Sequence, residues 1–192
     1  DVRYISNYSS GALGSLVAEE LYRQGYHTNI VCGSAPVTPR TFGEMHLVKT
    51  NDEMTKAAVK AGQEGLAGAV YLASVLDFAP DTRQSGKISS AQDTLTVSLS
   101  PQKKIIKQVA DPSHAKVGFK LEVDIDDSKA DDLAKDYIQR YGLTMCVVND
   151  LKTVSRETHQ ARVYTGGQEP TLKQSKAEIS RAIALHMRER LS

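Results

Sequence analysis

The sequence predicts an α/β protein with a doubly wound, mostly parallel sheet, helices on both faces and an inserted β-hairpin. Short apolar runs alternate with amphipathic helical patterns along the chain, which is typical of repeated β–α–β units. The run at 69–73 is apolar throughout, as expected for a parallel strand that is covered on both faces. With 192 residues the chain can bury one sizeable core, so we expect a single domain over 1–192.

The elements can be placed from their apolar spacing and from the turn residues between them. Gly25 ends the first helix, Pro36 and Pro39 mark a loop, and Asn51 is a suitable cap for the second helix. In chain order we predict a helix through 16–22, strands at 27–32 and 46–49, a helix from 51 through 61, a strand at 69–73, a helix at 101–109, a strand at 116–119, a helix at 128–141, a strand at 145–148 and a helix at 173–191.

Residues 87–99 interrupt this alternation. Two segments of period two, 87–90 and 95–99, flank a polar turn and predict a β-hairpin. Such an insertion has to bury its apolar side, which leaves two alternatives. It acts as a dimerisation arm, or it folds back on its own subunit.

Composition and charge exclude several classes of protein. The net charge of +1 gives no general attraction to nucleic acid or to anionic membranes. No apolar run approaches the roughly 20 residues that span a bilayer, and no signal peptide is visible, so we expect a cytoplasmic protein. The five histidines show no metal-ligand spacing, and no protein metal site is expected. Cys32 and Cys146 lie in apolar runs and are expected to be buried, reduced thiols.

The segment 6–14 is rich in serine and glycine and lies between an extended run and a helix. Such a turn offers backbone N–H groups at the positive end of the helix dipole, where phosphate binds well. The alternative is that Ser9 or Ser10 only caps the helix while Gly11 and Gly14 allow close packing. P-loop and GxGxxG signatures are both absent. Because a strand normally precedes a turn of this kind, we expect that an N-terminal strand is missing.

Polar residues follow several of the predicted strands. Ligands of an open parallel sheet bind beyond the carboxyl ends of its strands, so these residues are expected to line one cleft. Asp77 could accept from a ligand hydroxyl or hold a metal, Lys87 could neutralise a triphosphate, and Asn149 could contact a base on which Phe119 stacks. Each also has an ordinary structural role as a turn cap, a solvated lysine, a turn residue or a core phenylalanine.

Five segments in order resemble the phosphopantothenoylcysteine synthetase family. They are VRYISN with SSGALG at 2–14, ASVLDFAP at 73–80, KISS at 87–90, VGFKLE at 117–122 and VNDL at 148–151. The resemblance covers nearly the whole chain. Because no decarboxylase half accompanies it, the chain looks most similar to the stand-alone bacterial type.

The resemblance implies a Rossmann-like sheet, a homodimer, and a Mg²⁺-dependent ligase of coenzyme A biosynthesis. In the family, the carboxylate of 4′-phosphopantothenate attacks the α-phosphate of a nucleoside triphosphate, usually CTP, and pyrophosphate leaves. The amine of L-cysteine then displaces CMP from the acyl-cytidylate and forms an amide. Two other hypotheses remain open, an NAD(P)-binding oxidoreductase on the same sheet and a non-catalytic nucleotide-binding protein. The oxidoreductase hypothesis is disfavoured because the sequence has neither a GxGxxG motif nor a nearby Tyr-x-x-x-Lys pair.

The resemblance also implies roles for individual residues. Asn7 and Lys87 would be catalytic, with Asn7 orienting the activated carbonyl and Lys87 closing over the triphosphate. The nucleotide would be contacted by Ser9, Ser10, Gly11, Gly14, Phe119, Asn149 and Lys87. Phosphopantothenate would be contacted by Asn7, Ala73, Ser74 and Asp77, and by Arg3 from a neighbouring subunit.

The sequence departs from the family pattern in three places. The family's opening strand and its GGT turn are absent from the sequence. Ser74 stands where the bacterial motif usually has alanine. Ser89 and Ser90 replace the last two lysines of the KIKK motif, which leaves Lys87 as the cation of that element. The choice between CTP and ATP stays open.

Overall fold

The computed structural model describes residues 5–40, 43–82, 85–86, 88–89, 93–155 and 158–192. Helices and strands alternate along most of this chain, which confirms the predicted α/β class. The elements are α1 (Ala12–Arg23), β1 (Asn29–Gly33), β2 (Glu44–Val48), α2 (Asn51–Gln63), β3 (Gly68–Tyr71), β4 (Phe78–Pro80), β5 (Leu99–Pro101), a 3₁₀ turn (Ile105–Lys107), β6 (Ala115–Glu122), α3 (Asp127–Tyr141), β7 (Met145–Val154), β8 (His159–Thr165), β9 (Thr171–Lys173) and α4 (Lys176–Leu191).

The main sheet has the strand order β3-β6-β7-β8-β9. Its first three strands are parallel, as predicted, and β8 and β9 add an antiparallel edge. The sequence analysis assigned no strand to 159–173. Polar residues alternate with buried ones in β8, so its apolar pattern is weaker than that of the buried β7. β1 and β2 form a separate parallel pair in the described part of the chain.

Helices cover both faces of the main sheet. One core cluster joins Val17 of α1 and Ile183 of α4 to Val147 of β7. A second cluster on the opposite face joins Ala134 of α3 to Cys146 of β7. Because side chains alternate along a strand, β7 contributes to both clusters, and its continuous apolarity follows from that double burial.

Both cysteines are free thiols. Cys146 is fully buried, and its burial raises the pKa of the thiol to about 12. Cys32 is only half-buried at the end of β1. None of the described helices combines the length and the apolar character needed to cross a bilayer.

The predicted hairpin at 87–99 takes a different form. Antiparallel pairing joins β4 to β5, and the described residues 88–89 and 93–98 are not in strands. An isolated two-stranded ribbon is only marginally stable. Strand pairing in the described part of this segment is accordingly limited to β4 and β5. Lys87 and Ser90 lie outside the described residues.

The predicted helix at 101–109 is wrong, because only a short 3₁₀ turn forms at Ile105–Lys107. Pro101 belongs to β5, and the N–H of Gln102 donates to the carbonyl of Asp77 at 2.7 Å. Antiparallel pairing with β4 therefore keeps the first residues of this segment extended, and a helix cannot begin there.

The second helix is capped by Thr50 rather than by Asn51. The Thr50 hydroxyl accepts from the N–H of Glu53, as a helix cap does. Asn51 instead donates to the carbonyl of Leu76 at 2.9 Å and accepts from its N–H at 3.2 Å. The side chain of Asn51 therefore ties α2 to the loop that follows β3.

Two buried histidines make stability depend on pH. Burial lowers the pKa of His159 and of His186, and the charges of Lys176 and Arg190 act in the same direction. In the unfolded chain each imidazole titrates at about 6.5. The free energy of unfolding should therefore be highest above that pH and should fall as the pH drops through the lower folded-state pKa values.

Urea unfolding at pH 7.5 and 5.5 measures this dependence, and we expect the lower midpoint at pH 5.5. His186→Gln, which can keep a hydrogen bond to Thr144, should reduce the difference between the two pH values. An unchanged difference would rule out His186 as a contributor.

Gly11 occupies a position that a side chain cannot enter. It lies in the left-handed region at φ 74°, and a Cβ there would come within 2.1 Å of the Val37 carbonyl oxygen. Gly25 has a similar φ of 87°, but no atom lies within 4 Å of its Cβ position. Gly25→Ala should cost only the backbone strain of about 1–3 kcal/mol.

Gly11→Ala should cost clearly more than Gly25→Ala, because backbone strain and a backbone clash then act together. Each kcal/mol corresponds to a shift of about 2–4 °C in a domain of this size, so thermal unfolding separates the two variants. Equal losses of thermal stability would show that the segment at Val37 moves aside at no cost.

Candidate functional site

The serine and glycine turn leads directly into α1. Gly11 is the N-cap residue, and no side chain of the described residues caps this helix. The Ser10 hydroxyl accepts from the N–H of Ala12 at 3.4 Å, within the turn itself, and the Ser10 carbonyl accepts from the N–H of Val37 at 3.0 Å. The Ser9 hydroxyl likewise accepts from the N–H of Gly11 at 3.4 Å, so both serines bond backbone groups where α1 begins, although neither is the N-cap residue. This end of α1 faces a cavity.

Gly14 serves close packing. A Cβ at this position would come within 2.9 Å of the Leu72 side chain, which immediately follows β3. The first turn of α1 therefore lies directly against the end of that strand. Gly14 therefore has the packing role that the sequence analysis considered, and it also lines the cavity.

Two asparagines hold the loop at 73–77. Asn7 donates from Nδ2 to the carbonyl of Val75 at 2.9 Å, and Asn51 makes its two bonds to the next residue, Leu76. The predicted strand at 69–73 ends at Tyr71, so Ala73 and Ser74 lie in this loop and are exposed. The loop is thus fixed by side chains from two distant parts of the chain, and its own side chains remain available.

Asp77 is paired with a lysine that the sequence analysis did not select. Its carboxylate accepts from Lys104 Nζ at 2.5 Å. Lys104 follows β5 in the segment that was predicted to be a helix, where it had no apparent link to Asp77. The two consecutive lysines at 103–104 could have indicated a site for anions, but the local sequence does not show that one of them pairs with Asp77.

A second lysine lies nearby on β6. Lys120 contacts the Glu122 carboxylate at 2.8 Å, and its ammonium group lies 5.8 Å from the centroid of the Tyr137 ring. Burial lowers the pKa of Lys120, but the hydrogen bond that Lys120 donates to Glu122 and the charges of Tyr137, Glu122 and Asp77 outweigh it, so the net shift of this pKa is upward. Lys120 is therefore cationic at neutral pH, as is expected for a group that neutralises phosphate.

Phe119 and Asn149 lie on neighbouring strands near the carboxyl end of the parallel part of the sheet. Phe119 pairs in register with Val147, and Asn149 is two residues further along β7. Phe119 is half-buried against the first core cluster. Asn149 is only 6% exposed, and its Nδ2 lies 2.6 Å from Nε2 of His159.

His159 was also missed by the sequence analysis. It is the first residue of β8, a strand that was not predicted, and it pairs with Val154 across a bulge in β7. Its exposure is 7%. Burial lowers the pKa of the imidazole, and the nearby Lys176 lowers it further, so His159 is neutral at pH 7.

One cavity of about 2780 Å³ joins these parts. Every predicted site residue in the described part of the chain lines it, as do Lys104, Lys120 and His159. The predicted residues are Asn7, Ser9, Ser10, Gly11, Gly14, Ala73, Ser74, Asp77, Phe119 and Asn149. Arg3 and Lys87 lie outside the described residues. Among the residues that are described, no group of three histidines, cysteines or carboxylates is placed to hold a metal ion.

The sequence matches a known family over almost its full length. The model of the DNA/pantothenate metabolism flavoprotein C-terminal domain matches residues 1–191. The chain is also 28% identical over 186 residues to the coenzyme A biosynthesis bifunctional protein CoaBC of Methanocaldococcus jannaschii. That similarity covers 95% of this chain and 45% of the relative, so the chain spans less than half the length of this curated protein.

Solved structures share the fold at low sequence identity. The DNA/pantothenate metabolism flavoprotein from Streptococcus pneumoniae is similar with a TM-score of 0.84 and 20% identity, over 98% of this chain and 92% of that one. A Cab2 mutant in complex with phosphopantothenate-cysteine is similar with a TM-score of 0.69 and 18% identity, over 99% and 80% of the two chains. These structures show the shared fold, and the family match over 1–191 shows that the chain belongs to the family of DNA/pantothenate metabolism flavoprotein C-terminal domains.

Proposed function

We propose that this chain carries the phosphopantothenate–cysteine ligase reaction of coenzyme A biosynthesis, a cytoplasmic step. The observation that carries the proposal is that one cavity is lined by the serine and glycine turn, by lysines that include Lys104 and Lys120, and by Phe119 and Asn149. The printed names of the relatives support it, since one is a coenzyme A biosynthesis protein and one binds phosphopantothenate-cysteine.

The proposed reaction has two steps. In the first, a carboxylate oxygen of 4′-phosphopantothenate forms a bond to the α-phosphorus of CTP, and the bond to pyrophosphate breaks. In the second, the amine of L-cysteine forms a bond to the acyl carbon, CMP leaves, and the nitrogen loses a proton. No protein nucleophile is needed, because the protein acts by positioning two anions, neutralising their charge and excluding water.

The nucleotide side of the cavity is formed by α1 and by the ends of β6 and β7. The turn at Ser9 and Ser10 and the N-terminus of α1, with Gly11 and Gly14, would hold phosphate oxygens. Phe119 and Asn149 would contact the base and ribose. Lys87 would be the catalytic cation, and Lys104 and Lys120 are among the lysines that line the described part of the cavity.

The phosphopantothenate side is formed by the loop at 73–77. Ala73, Ser74 and Asp77 would hold the pantothenate arm, with Lys104 fixing the carboxylate of Asp77. Asn7 lies between this loop and the turn, where its amide can reach an activated carbonyl.

Magnesium has no cage of protein ligands in the described residues. Asp77 is the carboxylate of this loop, and it is already paired with Lys104. Mg²⁺ is commonly bound through substrate phosphates and few protein groups, so we propose that it enters with the triphosphate.

A homodimer is also proposed. Leu95, Val97 and Leu99 of the predicted arm are each at least 44% exposed in the single chain. A second copy would cover these side chains, and Arg3 of that copy would bind the substrate phosphate, for which a guanidinium is well suited.

The proposal is tested by measuring pyrophosphate release by the full-length protein with each nucleoside triphosphate. We expect release that requires both phosphopantothenate and a triphosphate, with CTP or ATP most effective, and phosphopantothenoylcysteine as the product once cysteine is added. Nucleotide binding without pyrophosphate release would identify a non-catalytic nucleotide-binding protein, and NADPH binding with hydride transfer an oxidoreductase.

Replacement of Asn7 separates the two steps. Asn7→Asp removes an amide donor and places negative charge near phosphate, so the cysteine step should slow by roughly 10²–10³-fold, as for an oxyanion donor. Acyl-cytidylate should accumulate, while the first pyrophosphate release persists. Quenched-flow assays with mass spectrometry measure both species.

The matched control for Asn7→Asp is Asn51→Ala. It loosens the same loop through Leu76 but leaves the amide of Asn7 in place. Its two steps should slow together, without build-up of the intermediate. Equal accumulation in the two variants would assign the effect to loop mobility and not to Asn7.

A further inference from the structure

Tyr137 brings an unused hydrogen-bond donor to the cavity. It lies on α3 and belongs to the cavity wall. Its hydroxyl is not closed off from solvent and makes no hydrogen bond to another described residue. By contrast, the hydroxyl of Tyr164, on the same face of the sheet, donates to Asp131 at 2.9 Å. Burial is the largest cause of the raised pKa of Tyr137, so its hydroxyl keeps its proton at neutral pH.

Two ion pairs lie close to this tyrosine. Lys120 contacts Glu122 at 2.8 Å, and Lys104 donates to Asp77 at 2.5 Å. The ammonium group of Lys120 is 5.8 Å from the centroid of the Tyr137 ring. The charges of Lys104 and Asp77 act on the pKa of Tyr137, and the charge of Asp77 also acts on the pKa of Lys120. The two pairs and the phenol therefore form one cluster of polar groups.

The ion pairs leave donors and an acceptor unused. An ammonium group has three N–H bonds, and Lys104 and Lys120 each use one of them on their carboxylate. Asp77 accepts through Oδ1, and its Oδ2 has no partner in the part of the chain that the structure describes. Together with the hydroxyl of Tyr137, the cluster can donate to an anionic group and accept from a cationic one.

The balance of charge in this cluster favours a zwitterion over a phosphate. Its two lysines and two carboxylates cancel, so a phosphate would bring close to two negative charges up against both carboxylates. A free α-amino acid carries one charge of each sign. The proposed phosphate site is also separate, because side chains alternate along β6 and Lys120 points to the face covered by α3, away from Phe119 and α1.

We propose that this cluster binds the amino acid substrate, with Tyr137 and Lys120 donating to the α-carboxylate of L-cysteine. The ammonium group of the same molecule lies toward Asp77, which Lys104 holds in place. Asp77 belongs to the loop at 73–77, the proposed place of the pantothenate arm, so the nitrogen is directed at the acyl group. This inference rests on the proposed function for the identity of the amino acid.

The test compares L-cysteine with cysteamine, which has the same amine and thiol but no carboxylate. Amide formation by the full-length protein is followed by mass spectrometry, and wild type should have the higher kcat/KM with cysteine. Tyr137→Phe should raise KM for cysteine by roughly 10-fold, as for the loss of a hydrogen bond to a charged group, and should change KM for cysteamine far less. Lys120→Met should act in the same direction.

Tyr164→Phe is the matched control. It removes the same atom from the same face of the sheet, but Tyr164 is not part of the cavity wall. Because its hydroxyl is bonded to Asp131, the change should lower the thermal midpoint and leave the ratio of the two amine substrates unaltered. Tyr137→Phe breaks no hydrogen bond within the described residues, so its thermal midpoint should stay near that of wild type.

A wild type that uses both amines equally well, or a wild-type ratio in the Tyr137 and Lys120 variants, would overturn this inference. A raised KM for phosphopantothenate or for the triphosphate in place of cysteine would assign the cluster to a phosphate and overturn it as well. The proposed function is scored separately, by amide formation in wild type. If no amide forms, calorimetric binding of L-cysteine still tests the site: weaker binding by Tyr137→Phe supports it, and no binding by wild type contradicts it.

Discussion

The burial of β7 on both faces is the constraint on which the rest of the structure depends. Val147 packs into the cluster with α1 and α4, while Cys146 packs into the cluster with α3. A shift of one residue would exchange the two faces, so the register of β7 against β6 and β8 is strongly specified. That register places an aromatic ring, a buried amide and an imidazole at one end of the sheet, on Phe119, Asn149 and His159.

The loops of the site are positioned by side-chain amides. An asparagine offers a donor and an acceptor, which matches the backbone carbonyl and N–H that one residue of an irregular loop leaves unpaired. Asn51 uses both on Leu76, and Asn7 uses its donor on Val75. The loop at 73–77 therefore has little freedom, although it belongs to no helix or strand. Binding residues on loops that are held by a rigid scaffold are the usual arrangement in enzymes.

Long periodic elements were predicted well, and short polar ones were not. The helix at 128–141 and the strand at 145–148 agree closely with α3 and with the first part of β7, because each has a continuous apolar pattern. The segment at 101–109 has apolar residues at helical spacing, but its first residues are held by pairing with 77–80. Local spacing carries no information about such a partner, and so Lys104 was placed on a helix instead of beside Asp77.

The sequence by itself determined the α/β class, the position of the central strands and the family, because apolar period and ordered motifs are local properties of the chain. It also identified ten cavity residues through their motifs. Only the tertiary structure decided which side chains meet, as with Asp77 and Lys104, 27 residues apart, and Asn149 and His159, 10 residues apart. Such pairs depend on strand register and on where the chain returns to the sheet. Hydrogen bonds and charge pairs across that distance leave no periodic trace in the sequence.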